Sequence, residues 1–450
     1  ESFPDYLDRL DARRFDIDLA AQLPHAALRV YVMGERGANR EPATEADTAE
    51  MSRLAEEAVR AGALGFSTSR TLNHRTSDGQ PTPTLTAAEE ELIGIAEGLS
   101  RAGRGVVQIV SDFDDPEREA GMLRRIVERS GRPLSVSLAQ AAVKPDGWRD
   151  LLSGLEAAAN AGLPIKAQVC GRPVGLLLGL ELTLNPFSAC PVYQEIADQP
   201  LSARVEALRD PDVRARLLAD TPRSDNPFVK AVLRNFDTMF VLGDPPDYEP
   251  GPERTLAHMA RVRETTPEAL ALDLMLEQDG RGMLYFPFLN YAQGSLDPSY
   301  EMLTSAHTIP GLSDGGAHVG MICDGSFPTS MLTHWTRDRT RGPKLPIEYV
   351  VRRQCRDTAE AVGLLDRGLL VPGYRADLNV IDYDRLTLHA PDVIRDLPGG
   401  GRRLMQRASG YTATVVAGEV VVDHDQPTAA RPGRLVRGAR AEPALAVAAE

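Results

Sequence analysis

The chain has 450 residues, of which 42% are hydrophobic and 25% charged, the balance of a soluble globular protein, and no apolar run approaches the ~20 residues needed to cross a bilayer. Lysine and arginine number 50 against 64 acidic residues, so the formal net charge of -14 excludes nucleic acid and other polyanions as natural partners. Cys170, Cys190, Cys323 and Cys355 form no C-x-x-C pair, which indicates neither a zinc knuckle nor a disulfide framework.

Length alone predicts two or three domains, or one β/α barrel of ~250 residues enlarged by insertions. No secretory signal opens the chain, so a cytoplasmic location with reduced thiols is expected, and Glu1 in place of methionine reads as a truncated or processed start.

In chain order, residues 2–21 read as a charged helical stretch and 25–34 as the first strand, since β-branched and aromatic residues there end at Gly34. Residues 44–61 repeat apolar side chains at Met51, Leu54, Ala55, Ala58 and Val59, the spacing of an amphipathic helix, with Thr44 as its cap. A strand over 62–70 then delivers Ser67, Ser69 and Arg70 to its end. The loop 71–84, with His74, Asp78 and two prolines, has the composition of an active-site loop. Helices over 89–102, 116–130 and 147–161 alternate with strands over 106–111, 134–140 and 165–170, a rhythm that predicts parallel βαβ units. Charged helices broken by prolines over 193–278 read as a helical insertion, after which 283–290 resumes the barrel.

Thr308-Ile-Pro-Gly-Leu-Ser-Asp-Gly-Gly-Ala-His318 places a short apolar strand before a carboxylate, two glycines and an imidazole. Asp314 is thereby expected at the C-terminal end of a strand, the face of a β/α barrel that carries chemistry. Asp followed by Gly is also a turn signature, and both readings stand at this point. Strands ending near Gly34, Ser69, Ser111, Gln140, Cys170, Asn290 and Asp314 make seven, where a closed barrel wants eight. The missing first strand is expected upstream of Glu1. Helices follow over 328–339 and 347–364. Beyond them 365–438 reads as a small β domain with a hairpin at Ala417-Gly418, and 439–450 as a flexible tail.

Four pieces together carry a resemblance: Gly62-Ala-Leu-Gly-Phe-Ser-Thr-Ser-Arg70, Gly311-Leu-Ser-Asp-Gly-Gly-Ala-His318, Leu365-Asp-Arg-Gly-Leu-Leu-Val-Pro-Gly373 with Ala376-Asp-Leu378, and Gly410-Tyr-Thr-Ala-Thr-Val-Val-Ala-Gly418. In these the chain resembles the N-acyl-D-amino-acid deacylase branch of the amidohydrolase superfamily. The resemblance implies a metal-dependent (β/α)8 barrel of the TIM type, here without its first strand, flanked by a small β-sandwich whose N-terminal half is absent. It also implies one or two zinc ions, with Asp314 as metal ligand and as the group that takes a proton from the metal-bound water and returns it to the leaving nitrogen. The His-x-His pair usual on the first strand is absent from this chain.

Within that resemblance Arg70 would pair with a substrate carboxylate or simply tie down its loop. His318 would ligate metal, orient Asp314 or contact substrate, and Asn290 and Ser67 would contact substrate. His74 would close over the site or remain solvated, and Asp324 would cap the helix near Pro328. The implied activity is hydrolysis of a small-molecule amide, an N-acyl-D-amino acid first and a hydantoin-like ring as the alternative. A non-catalytic relative that binds a small molecule is the competing reading. A homo-oligomer is expected.

Overall fold

A computed structural model of the chain describes residues 1–313 and 315–444, with the backbone alone at 227 and 228. Its first nine strands are β1 (Gln22–Pro24), β2 (Gly65–Arg70), β3 (Val106–Ser111), β4 (Leu134–Leu138), β5 (Ile165–Cys170), β6 (Val174–Leu178), β7 (Phe240–Val241), β8 (Leu284–Leu289) and β9 (Thr308–Gly311). Six of them form one parallel sheet in the order β1-β2-β3-β4-β5-β9. The sheet is an incomplete TIM-type barrel: among the described residues its two edge strands do not meet.

The helices Glu45–Ala61, Glu89–Ala102, Pro116–Ser130 and Gly147–Asn160 return the chain between parallel strands, as the alternation predicts. The first is started by a capping box, in which Asp47 N donates to Thr44 Oγ1 at 3.1 Å and Thr44 N donates to the Asp47 carboxylate at 2.9 Å. Phe66, Ile109, Val136 and Ala167 of the sheet are fully buried with Met51, Ile95, Leu123 and Ile126 of the helices in one core cluster. Each large side chain so buried contributes about 1.5–3 kcal/mol.

The structure corrects three sequence expectations here. Residues 25–34 are not the first strand: His25–Met33 is a helix, and the strand is the preceding Gln22–Pro24. The buried positions of the helix are His25, Leu28, Arg29 and Met33, a helical spacing that the β-branched Val30 and Val32 mask in the sequence. The segment 283–290 is not a barrel strand either. β8 pairs antiparallel with β6 and β7, matching Pro287 to Gly175 and Tyr285 to Phe240, while β9 takes the edge of β5 instead. A continuous apolar run does not reveal its partner, and this one serves the helical segment. The third correction is at the start, where helix spans only Phe3–Asp11 of 2–21.

The helices from Pro191–Gln194 to Pro267–Gly280 bury Phe187, Cys190, Leu208, Leu217 and Met275 with Leu178 and Leu284 in a second core cluster. After β9 come the helices Phe327–Thr333 and Ile347–Arg352, each continued by a π-helical turn. The C-terminal region is β structure, including a four-stranded sheet. Its hairpin joins Tyr411–Val416 to Glu419–Asp423 through Ala417 at φ 52° and Gly418 at φ 84°, the two positive φ values that a tight hairpin turn requires. Beyond Gly438 the backbone is still paired, Arg440 N donating to the Gly363 carbonyl at 2.8 Å. Residues 445–450 of the expected tail lie outside the described residues. No helix among the described residues is long and apolar enough to cross a membrane.

Candidate active site

Parallel strands all end on one edge of a sheet, and in a β/α barrel that edge collects the chemistry. Here it carries Ser69 and Arg70 of β2, Ser111 of β3, Gln140 just past β4, Cys170 of β5 and Gly311 of β9, the last two directly opposite each other. Asp314, the residue expected to act, follows three positions later and lies outside the described residues. Its neighbour Ser313 is described, and donates from Oγ to the Asp324 carbonyl at 2.8 Å.

Side chains alternate along a strand, so the faces of β2 can be assigned from their contacts. Thr68 Oγ1 lies 2.8 Å from His25 Nδ1, and Phe66 packs with the helices, which puts even-numbered β2 side chains on the helical side. Arg70 shares that side. Its Nη1 is 2.8 Å from Met122 Sδ and 3.6 Å from Glu119 Oε2, with the side chain 14% exposed. Ser67 and Ser69 alternate with these residues and belong to the inner face. Ser69 Oγ lies 2.7 Å from Nδ1 of His74, so the loop 71–84 does reach the strand end. That loop is clipped at both ends: Thr84 Oγ1 donates to the Ser69 carbonyl at 2.5 Å, and Leu72 N donates to Asp112 at 2.8 Å.

Asn290 is fully buried at the end of β8 in the left-handed region, with φ at 64°. Its Oδ1 accepts from Gln140 N at 2.7 Å, its own N donates to the Gln140 carbonyl at 2.9 Å, and Gln140 Oε1 accepts from Ala292 N at 3.1 Å. The two amides thus lock the end of β8 to the end of β4. His318 is exposed in the loop after β9, with φ at 50° and its carbonyl accepting from Met321 N at 2.8 Å and Ile322 N at 2.9 Å. Contacts therefore join Asn290 with Gln140 and Ser69 with His74, whereas Arg70 is turned to the helices.

Sequence reasoning missed Arg172. It stands two residues beyond Cys170, the same strand-end criterion that selected Arg70, and it is 3% exposed. Its Nη2 lies 3.4 Å from Oδ1 of Asp324, which is 2% exposed. Asp324 does not cap the following helix, because the N-cap is Ser326. Burial pushes the Cys323 thiol up, and the Tyr285 phenol beside Arg172 is pushed well up by the same cause.

A catalytic zinc takes three protein ligands, usually nitrogen or sulfur donors. Among the described residues no three His, Cys, Asp or Glu side chains come together to hold an ion. The described donors therefore do not fit the zinc site that the resemblance implies. The strand ends offer hydroxyls, an amide and one thiol instead.

A family model described as the amidohydrolase family matches residues 1–422. An uncharacterized protein of Mycobacterium tuberculosis (strain H37Rv) is 27% identical over 462 residues, covering 93% of this chain and 70% of that protein, and one of Mycobacterium bovis matches to the same extent. A D-aminoacylase of Alcaligenes xylosoxydans xylosoxydans is 35% identical over 103 residues, which is 23% of this chain and 19% of that enzyme. Among solved structures, a crystal structure of D-aminoacylase is similar with a TM-score of 0.55 and 21% identity, covering 97% of this chain and 75% of that one. Another D-aminoacylase structure, concerned with a binuclear metal center, has a TM-score of 0.58 at 20% identity with the same coverage.

Proposed function

The chain belongs to the amidohydrolase family, hydrolases of carbon–nitrogen bonds other than peptide bonds, and from that premise we propose that it removes the acyl group from N-acyl-D-amino acids. The observation that carries the reading is local. β9 ends on the same edge as Ser69 and Cys170, and Asp314 follows it directly after the anchored Ser313. The partial likeness to a D-aminoacylase supports the choice of substrate.

Hydrolysis of an amide asks for one proton to be moved twice. Water must lose it while its oxygen attacks the carbonyl carbon, and the nitrogen must gain it as the C–N bond breaks. A carboxylate within hydrogen-bond reach of both atoms can do both. We assign that role to Asp314. The inner-face hydroxyls of Ser67 and Ser69 and the exposed His318 are the polar groups we assign to substrate. A bound metal, zinc being the ion the resemblance implies, is part of the proposal, and its ligands would have to include groups beyond the described donors. The same reading expects a cytoplasmic homo-oligomer, tested by cell fractionation and by mass in solution.

One observation favours a second reading, a barrel kept for binding a small molecule: the described strand ends bring no metal-binding group together. Metal content per chain, measured beside release of free amino acid from N-acetyl-D- and N-acetyl-L-amino acids, separates the two. Turnover of the D series that disappears in Asp314→Asn supports the hydrolase. No turnover and no metal would sink it and leave the binding protein.

A further inference from the structure

The segment 315–326, which follows Asp314 in the sequence, is gripped by one buried cation. Arg172 Nη2 donates to the Cys323 carbonyl at 2.9 Å and to Ser326 Oγ at 3.1 Å, besides its contact with Asp324. The guanidinium lies 3.6 Å from the Tyr248 ring centroid and 4.8 Å from that of Phe327. A second hold comes from the C-terminal β region. Gln406 Oε1 accepts from Ser326 Oγ at 2.5 Å, Gln406 Nε2 donates to Tyr248 Oη at 2.9 Å, and Leu404 N donates to the Val319 carbonyl at 2.8 Å. Ser313 Oγ closes the loop on itself through the Asp324 carbonyl.

Burying an arginine is expensive, and apolar side chains of similar size often stabilise a fold as well or better. What Arg172 adds is geometry: a planar fork between two rings has one orientation, and the atoms it fixes belong to the segment beginning next to Asp314. We propose that Arg172 is a positioning residue, assisted by Gln406, which holds 315–326, the segment that follows Asp314 in the sequence, against the end of β5 in one arrangement. Its consequence for catalysis rests on the hydrolase reading; the positioning itself does not.

The test is hydrogen–deuterium exchange of the full chain as wild type, Arg172→Met, Arg172→Lys and Gln406→Leu, with kinetics on N-acetyl-D-amino acids alongside. In Arg172→Met, amides of 315–326 are expected to exchange about tenfold faster or more, while those of β2 to β4 stay within about twofold. kcat should fall about tenfold with KM within about twofold, and Arg172→Lys should recover part of it. Gln406→Leu should loosen the same segment to a smaller extent, and it serves as the test should Arg172→Met not fold. Unchanged exchange of 315–326 in these variants, or equal acceleration in β2 to β4, would overturn the proposal. A wild-type chain that hydrolyses no N-acyl amino acid defeats the hydrolase reading instead, and the exchange result still decides the positioning role.

Discussion

Glu249 and Arg339 meet through two hydrogen bonds of 3.0 Å, Nε donating to Oε2 and Nη2 to Oε1, with the carboxylate 3% and the guanidinium 1% exposed. Leu296 N donates to the same carboxylate at 2.9 Å, and His334 Nε2 lies 2.9 Å from it. Burial pushes the Glu249 carboxyl up, but these contacts outweigh it and hold it at about 2. Three segments, around Glu249, Leu296 and His334 to Arg339, are tied at one point. Glu249→Gln removes the buried countercharge of Arg339 and leaves it only the exposed Asp297 at 2.7 Å, so a loss of about 3 kcal/mol is expected in urea unfolding. The pH dependence has a definite sign. A depressed carboxyl contributes stability above its ordinary value of 4.5 and loses it as pH falls toward about 2. The Gln variant should show a flatter decline than wild type across that window.

A second buried cluster sets a milder pH response. His25 Nε2 is 2.8 Å from Glu91 Oε1, and Arg29 Nη1 donates to Oε2 of the same carboxylate at 2.6 Å. Burial pushes the His25 imidazole down, with the Glu91 contact opposing. An unfolded chain therefore takes up a proton at this position, near pH ~6.5, before the folded chain does. Stability at His25 is present above that value and declines below it. Urea midpoints at pH 7.5 and 5.5 should fall further apart for wild type than for His25→Gln. Equal spacing would remove His25 from the account.

Why some of this was legible in the sequence and some was not follows from the range of each signal. Helix 89–102 and strands 106–111 and 165–170 came out with their observed limits, because apolar period, glycine stops and β-branched runs are local. The partner of 283–290 was not legible, since pairing is decided by which edge is vacant, and β9 already occupied that of β5. Strand-end position singled out Arg70 but was not applied to Arg172, which stands two residues beyond the end of β5. Side-chain direction depends on register and packing: a count of two along β2 from Thr68 turns Arg70 to the helices, and the contact of Thr68 with His25 and the packing of Phe66 tell which side that is.

Gly175 opposes Pro287 in the β6–β8 pair, and a Cβ there would sit 2.0 Å from Tyr285 Cε2. The ring cannot retreat cheaply, because Tyr285 is 1% exposed and packs edge-on to Tyr248 with centroids 5.4 Å apart. Gly175→Ala should cost about 1–3 kcal/mol or more through overpacking. Thermal unfolding measures it, and because Tyr248 stacks on Arg172, faster amide exchange over 315–326 should accompany the loss.

Arg70 offers the clearest separation between a binding arginine and a structural one. The sequence reading allowed both, a partner for a substrate carboxylate or a tie for its own loop. In the structure its Nη1 lies beside Met122 and 3.6 Å from Glu119, both on the helix Pro116–Ser130, on the side of β2 away from Ser67 and Ser69. Arg70→Met keeps the aliphatic stem and removes the charge. A helix-facing arginine predicts KM within about twofold of wild type and a stability loss of about 1 kcal/mol, the size of a partly exposed ion pair. A substrate-facing one predicts the reverse, KM raised about tenfold or more with stability unchanged. Steady-state kinetics on an N-acetyl-D-amino acid and on the corresponding amide without a carboxylate decide between them. Should the variant discriminate less than wild type between the two substrates, the guanidinium reaches the site and the loop must turn it inward when substrate binds.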